Sequence, residues 1–242
     1  MFDKIWKRAF LLTLVGLAIA TLISGPIGAQ SSGPQAASRF TGRHVPAPPS
    51  RDVGVVLYDQ NNTPGTYGIN SQNFEAIYDA YDDHAADDFV KPTGVSWRIT
   101  QVDAEGLYFN GPGPAASFNV TFHKNAAGLP KDPPNPGVIR LGQAYTLVGA
   151  STFRITVSPP IVLPKSSNGG WISVQANLNF AGGAGGQWGW LDRAVQSGFG
   201  AAWKNPGGGF GVCPVWTDLN TCIPVLPPAE QDFLFTLSGI VG

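Results

Sequence analysis

The chain has 242 residues, 15 Lys and Arg against 16 Asp and Glu, a formal net charge of −1, and a composition 43% hydrophobic but only 13% charged. That balance argues against non-specific attraction to nucleic acid and against charge-driven docking to an anionic membrane surface. The 31 Gly and 21 Pro argue against a helical bundle and for many short strands joined by tight turns.

Residues 1–29 read as a secretory signal peptide. Lys4, Lys7 and Arg8 form a basic start, residues 9–23 an apolar run, and Ile27-Gly28-Ala29 a small-residue cleavage site. The run is short for a bilayer crossing, although an uncleaved anchor would use the same residues. Either way the remainder is expected to be exported, so the protein is expected outside the cytoplasm: secreted, periplasmic or at the cell surface, with no membrane span after cleavage. No cysteine follows the run, which argues against a lipid-anchored N-terminus. Residues 30–52, QSSGPQAASRFTGRHVPAPPSRD, lack apolar periodicity and are expected to form a flexible leader. Residues 53–242 then make one domain, without internal repeats.

Within that domain the strand signal is alternation. In residues 117–124, SFNVTFHK, Phe118, Val120 and Phe122 share one face while Asn119, Thr121 and His123 share the other. Residues 152–157 alternate with Phe153, Ile155 and Val157 inward. Residues 171–180 put Ile172, Val174, Ala176, Leu178 and Phe180 inward, with Trp171, Gln175, Asn177 and Asn179 outward. Residues 232–237 put Phe233, Phe235 and Leu237 inward. Further strands are expected at 53–58, around Phe89, and at 97–108, 138–141 and 144–148, with turns at 110–114 and 168–170. The expected fold class is all-β: a two-sheet antiparallel β-sandwich of jelly-roll type.

Ala86-Asp-Asp-Phe89, Trp97-Arg-Ile99, Phe118-Asn-Val-Thr-Phe122 with Gly128-Leu-Pro130, Trp171-Ile-Ser-Val174, and Asp232-Phe233 with Leu237 and Gly239 cover most of this domain. Together they resemble uncharacterised β-sandwich modules of secreted bacterial proteins. The resemblance implies a sandwich fold and export from a bacterium; it carries no catalytic residue onto this chain, because such sandwiches serve as carbohydrate-binding, adhesive or accessory domains.

Residues 180–222 hold four tryptophans and both cysteines in a glycine-dense stretch, which reads as a long ordered loop. In an exported chain, Cys213 and Cys222 are expected to form a disulfide that staples this loop. Two readings of the rings stand open. Trp188, Trp190, Trp203 and Trp216 could form a platform for sugar rings, with Gln175 and Asn177 supplying hydrogen bonds. Alternatively the loop folds back and most of the rings are core, as large aromatics usually are.

Asp79, Asp82, Asp83, Asp87 and Asp88 crowd into ten residues around His84. Asp82, Asp83, Asp87 and Asp88 are candidate ligands for a structural calcium, since hard cations take several carboxylate and carbonyl oxygens. Secreted jelly-roll modules, which the chain resembles, often place such an ion where an early acidic segment meets the last strand, and this adds Asp232. The bland alternative is a solvated acidic turn that protects a sheet edge.

No nucleophile elbow, zincin helix, Walker loop or dinucleotide fingerprint is present. His44 lies in the leader, His84 among the acids and His123 on an outward strand face, none with an activated serine in view. Asp103 and Glu105, two apart, would share a face only on a regular strand, and Gly106 suggests a bulge. Glu75 and Glu230 offer no clearer pair. The expected function is therefore binding or adhesion without catalysis, with extracellular polysaccharide or cell-surface glycan as the leading partner. A structural surface protein is the alternative, and a glycoside hydrolase the third.

Overall fold

A computed structural model describes residues 33–48, 54–135, 138–181, 185–227 and 232–242. The expected signal peptide lies outside these residues. In chain order the described strands are β1 (Ala37–Arg39), β2 (Val55–Asp59), β3 (Pro64–Asn70), β4 (Gln72–Asn73), β5 (His84–Val90), β6 (Trp97–Phe109), β7 (Ser117–His123), β8 (Asn125–Ala126) and β9 (Leu129–Pro130). They continue with β10 (Ile139–Gln143), β11 (Tyr145–Val148), β12 (Thr152–Leu163), β13 (Gly169–Asn177), β14 (Gln187–Arg193), β15 (Ala202–Lys204), β16 (Thr217–Asp218), β17 (Asp232–Phe233) and β18 (Phe235–Val241). A 3-10 helix (Ala76–Tyr81) lies between β4 and β5, and a short α-helix, α1 (Leu219–Cys222), precedes β17.

The strands form two large sheets packed face to face. The first runs β1-β3-β14-β6-β12-β11, with β17 beside β14 and with β18 pairing both β2 and β6. The second runs β10-β7-β13-β5-β15-β16, with β4 added to β13, and β8 and β9 make a separate hairpin. Pairing is antiparallel except for the two-residue β4–β13 contact. The expected antiparallel sandwich is what the chain forms; its refinement to a jelly roll finds no confirmation in these strand orders.

The long strand β6 shows how alternation and core are reconciled. Trp97 and Ile99 face the core, and so do Val102 and Ala104, so the phase changes once between them. Against β18, Ile99 pairs with Gly239 and Gln101 with Ser238, which leaves Thr100 as the extra residue of a bulge. From Gln101 to Glu105 the ladder against β12 is regular. The bulge expected at Gly106 thus sits at Thr100. Asp103 and Glu105 therefore do share a face, the outer one, opposite Val102 and Ala104.

Residues 180–222 are not one long loop. They contain β14, which lies between β3 and β6 inside the first sheet, as well as β15, β16 and α1. Two glycines, Gly106 on β6 and Gly189 on β14, let these strands pack closely. A Cβ on Gly106 would stand 2.4 Å from Trp188 Nε1, and one on Gly189 would stand 2.8 Å from the backbone of Gly68 on β3. The freed space is filled: the Trp188 ring meets Phe118 edge-on at 4.9 Å, and Trp190 stacks on Phe233 at 4.7 Å. Cys213 and Cys222 are disulfide-bonded, as expected.

Over residues 33–48 the expected flexible leader is laid down on the sandwich. β1 extends the edge of β3 through Ala37–Ile69, Ser38–Gly68 and Arg39–Tyr67. Gln35 exchanges two hydrogen bonds with the Gln187 side chain, and the Asn70 N–H donates to the Ala36 carbonyl. The Pro, Ser and Ala that make this segment read as a linker do not prevent it from pairing with an open sheet edge through its backbone.

Candidate functional site

The four tryptophans of the expected platform are buried: Trp188, Trp190 and Trp203 completely, Trp216 nearly so. Trp190 Nε1 donates to the Leu234 carbonyl and Trp203 Nε1 to the Asn70 carbonyl, so their polar edges are directed inward as well. A sugar stacks on an exposed ring face, which these rings do not offer; Trp188, Trp190 and Trp203 belong to the core between the sheets, and Trp216 packs in a smaller cluster with Ala86, Trp171 and Ala202. Gln175 and Asn177 lie on the outer face of the second sheet and are tied into an amide ladder with Asn119. Asn119 Nδ2 donates to both Gln175 Oε1 and Asn177 Oδ1. Gln175 also donates to the Asp83 carbonyl.

The five acids expected to hold calcium fall into two groups, each committed to protein donors. Asp82 accepts the Phe74 N–H, and Asp83 accepts the Gln72 N–H and the Asn70 amide. The β5 acids do meet the chain's last segment as expected: Asp87 accepts the Phe233 N–H at 2.6 Å and the Gln60 amide at 2.6 Å. Asp232 accepts the Ser197 N–H, with Arg193 Nη1 3.4 Å from the same oxygen. That guanidinium already supplies the positive charge a cation would bring. Among the described residues no three His, Cys, Asp or Glu side chains converge as a cation cage.

Two of the acids, Asp88 and Asp232, hold a loop. Asp232 takes the Ser197 N–H and Asp88 takes the Phe199 N–H, while Arg193 donates to the Val195 carbonyl and to Ser197 Oγ. Between the two clamped amides stands Gly198, with φ +75 and a Cβ position only 2.4 Å from Asp88 Oδ2, so both backbone and space require glycine. Burial pushes these carboxyls up: Asp88 to about 6, Asp232 to about 7, and Asp87 well above its ordinary range, with Asp232 beside it adding to the effect. Asp87 accepts from the Gln60 amide and from the Phe233 and Asp88 N–H groups, whereas Asp232 Oδ1 has no hydrogen-bond partner among the described residues.

The residue this loop presents is Phe199. Phe199 is 46% exposed, and its ring lies parallel to the buried Trp171 ring, with centroids 6.2 Å apart and planes 16° apart. Gly128 of the β8–β9 turn backs the same ring. Phe199 borders a cleft of about 1120 Å³ formed by the end of β5, the end of β7, the start of β13 and the turn before it. Asp88, Asn125, Ser167 and Asn168 supply polar groups along the cleft, and Trp171 Nε1 donates to Asn125 Oδ1. Lys91, also on the wall, spends its ammonium on the Pro92 and Val95 carbonyls. Gly170 lets β13 approach β7 closely, since a Cβ there would lie 2.5 Å from the His123 carbonyl oxygen.

His123, at the inner wall, belongs to a packed cluster on the outer face of the second sheet. Trp216 lies between His84 and His123, with centroids at 6.1 and 5.5 Å, and Lys204 Nζ stands over its ring at 4.6 Å while pairing with Asp132. Burial, with help from Lys204, lowers His84 to about 3 and burial likewise lowers His123. These imidazoles are neutral packing groups at physiological pH. Sequence reasoning missed Phe199; the available signal was Ser197-Gly-Phe-Gly200, an aromatic flanked by glycines, in place of the more conspicuous tryptophans.

No family model matches the chain, and no curated protein or solved structure matches it either. Among the described residues no helix is long and apolar enough to cross a membrane.

Proposed function

We propose that this protein is an exported binding module that takes an extended glycan in the cleft beside Phe199. The observation that carries the reading is the exposed Phe199 ring, held by its two carboxylate-clamped amides against Trp171 and flanked by Asn125, Ser167 and Asn168. An aromatic face next to amide and hydroxyl groups suits the apolar C–H face and polar rim of a pyranose. Export is supported by the apolar N-terminal segment and by a disulfide, which persists in oxidising compartments. The resemblance to secreted bacterial sandwich modules rests on the quoted residues and agrees with this reading.

The test is retention on a broad panel of immobilised polysaccharides. Wild-type protein is expected to be retained by at least one, and Phe199→Ala to lose that retention with its melting temperature little changed, because the ring is half in solvent. Retention that survives Phe199→Ala would move the site elsewhere, and no retention at all would overturn the glycan reading. The complete burial of three tryptophans and near-complete burial of the fourth favours a second reading, a structural surface protein whose aromatics serve only packing.

A further inference from the structure

On the outer face of the first sheet, residues 44–48 meet three side chains that are already fixed without them. Glu105 is completely buried, and it accepts hydrogen bonds from Asn61 Nδ2 at 2.9 Å, Ser151 Oγ at 2.7 Å and Thr152 Oγ1 at 2.7 Å. Arg154 grips Asp103 through Nε at 3.1 Å and Nη2 at 2.8 Å. Onto this set the leader places one group each. His44 Nε2 lies 3.2 Å from Glu105 Oε2, outside the geometry of a regular hydrogen bond but within reach of electrostatic attraction. The Ala47 N–H donates to Thr152 Oγ1 at 3.1 Å, and the Pro48 carbonyl accepts from Arg154 Nη2 at 2.7 Å.

The asymmetry is informative. Removing the leader would leave Glu105, Thr152 and Arg154 with their partners inside the sandwich, so the receptor side needs no rearrangement to exist empty. On the leader side the His44 side chain is sunk onto the sheet, 3% exposed, while Val45 is 59% exposed and residues 46–48 span a recess of about 240 Å³ bordered by Val56, Asp59, Asn61 and Asp103. A preformed polar receptor under a surface-lying, proline-spaced segment has the organisation of a ligand in its site, not of a core element. The prolines at 46 and 48 also hold the segment extended at little entropic cost.

We propose that the outer face of the first sheet around Glu105, Thr152 and Arg154 is a recognition site for an extended, proline-rich segment carrying an imidazole. Residues 44–48 are its resident ligand, and the same segment of a second copy of this chain can take their place. This site lies on a different sheet from the Phe199 cleft and stands independently of the glycan reading.

The test uses the full chain and a fluorescently labelled peptide of residues 40–48, FTGRHVPAP. In the wild-type chain the resident segment competes, which reduces the apparent affinity by the fraction of time the site is open. The His44→Ala chain loosens the resident segment and leaves the receptor intact, so it is expected to bind the peptide at least about tenfold more tightly than wild type. Ala47→Pro, which deletes only the N–H that Thr152 accepts and keeps the segment extended, should act in the same direction. Peptide carrying His44→Ala is expected not to bind either variant. Equal binding to wild type and both variants, no binding to any of them, or undiminished binding of the altered peptide would each overturn the proposal.

Discussion

Asp232→Asn offers the sharpest check on the acidic interior. Asp232 is fully buried and its carboxyl is raised from 3.8 to about 7, first by burial. A folded-state value above the unfolded one means that the native state binds the proton more tightly, so stability is fullest at low pH and is lost as pH rises toward and past 7. At ~1.4 kcal/mol per pKa unit, the charged carboxylate costs the fold about 4 kcal/mol at pH 8 and about 1.5 kcal/mol at pH 5. Asparagine keeps an oxygen for the Ser197 N–H and never ionises, so the variant escapes that cost. Asp87, pushed up partly by Asp232, is relieved in the same direction. Chemical denaturation at pH 8 should therefore find Asp232→Asn more stable than wild type, with the gap shrinking by about 2–3 kcal/mol at pH 5. In melting temperature that change is roughly 5–10 °C for a domain of this size. Protonation of buried His84 on the acid side affects both chains alike and cancels in the difference. A gap that is independent of pH, or one that widens on acidification, would show that Asp232 is ionised in the fold with an ordinary carboxylate affinity for protons and would refute the reasoning.

Trp190→Ala should behave as a core deletion and cost about 3–5 kcal/mol, so a folded, fully stable variant detected by thermal melting would contradict its place against Phe233. Replacing Cys213 and Cys222 together by Ser opens a short loop and should cost about 2–3 kcal/mol on the chain-entropy estimate, read as a lower denaturant midpoint under oxidising conditions. Chelator is expected to leave the melting temperature unchanged, because the candidate calcium ligands are bonded to backbone amides and to Arg193; a fall of several degrees that calcium reverses would restore the cation reading.

The strands with clean alternation were legible because a half-buried strand advertises its period in local sequence. Residues 117–124 and 152–157 needed nothing more than that. What was not legible depended on partners distant in the chain. Gly106 reads as a strand breaker in isolation, and its meaning appears only when Trp188, 82 positions away, occupies the space its missing side chain leaves. The same holds for the leader: composition marks it as a linker, yet β3 presents an open edge that no local pattern in residues 33–48 can reveal. The acidic segment was correctly seen as meeting the last strands, but the partners its carboxylates find there were not legible, for a related reason. Whether a carboxylate faces a cation or an amide depends on which N–H groups the fold delivers, and here they come from Phe74, Gln72, Phe233, Ser197 and Phe199.

Buried carboxylates and an exposed aromatic are coupled in this molecule through one loop. Phe199 is positioned from below by Trp171 and along its backbone by Asp88 and Asp232, so the rigidity of the ring is set by groups that titrate between about 6 and 7. An ionised carboxylate is the stronger acceptor for the Ser197 and Phe199 amides, while a protonated one costs less to bury. Raising the pH through this window therefore tightens the loop locally as it lowers the stability of the fold as a whole. If the cleft binds the glycan proposed for it, that surface gains preorganisation where the scaffold loses some of its margin, and affinity there and global stability should respond to pH with opposite signs.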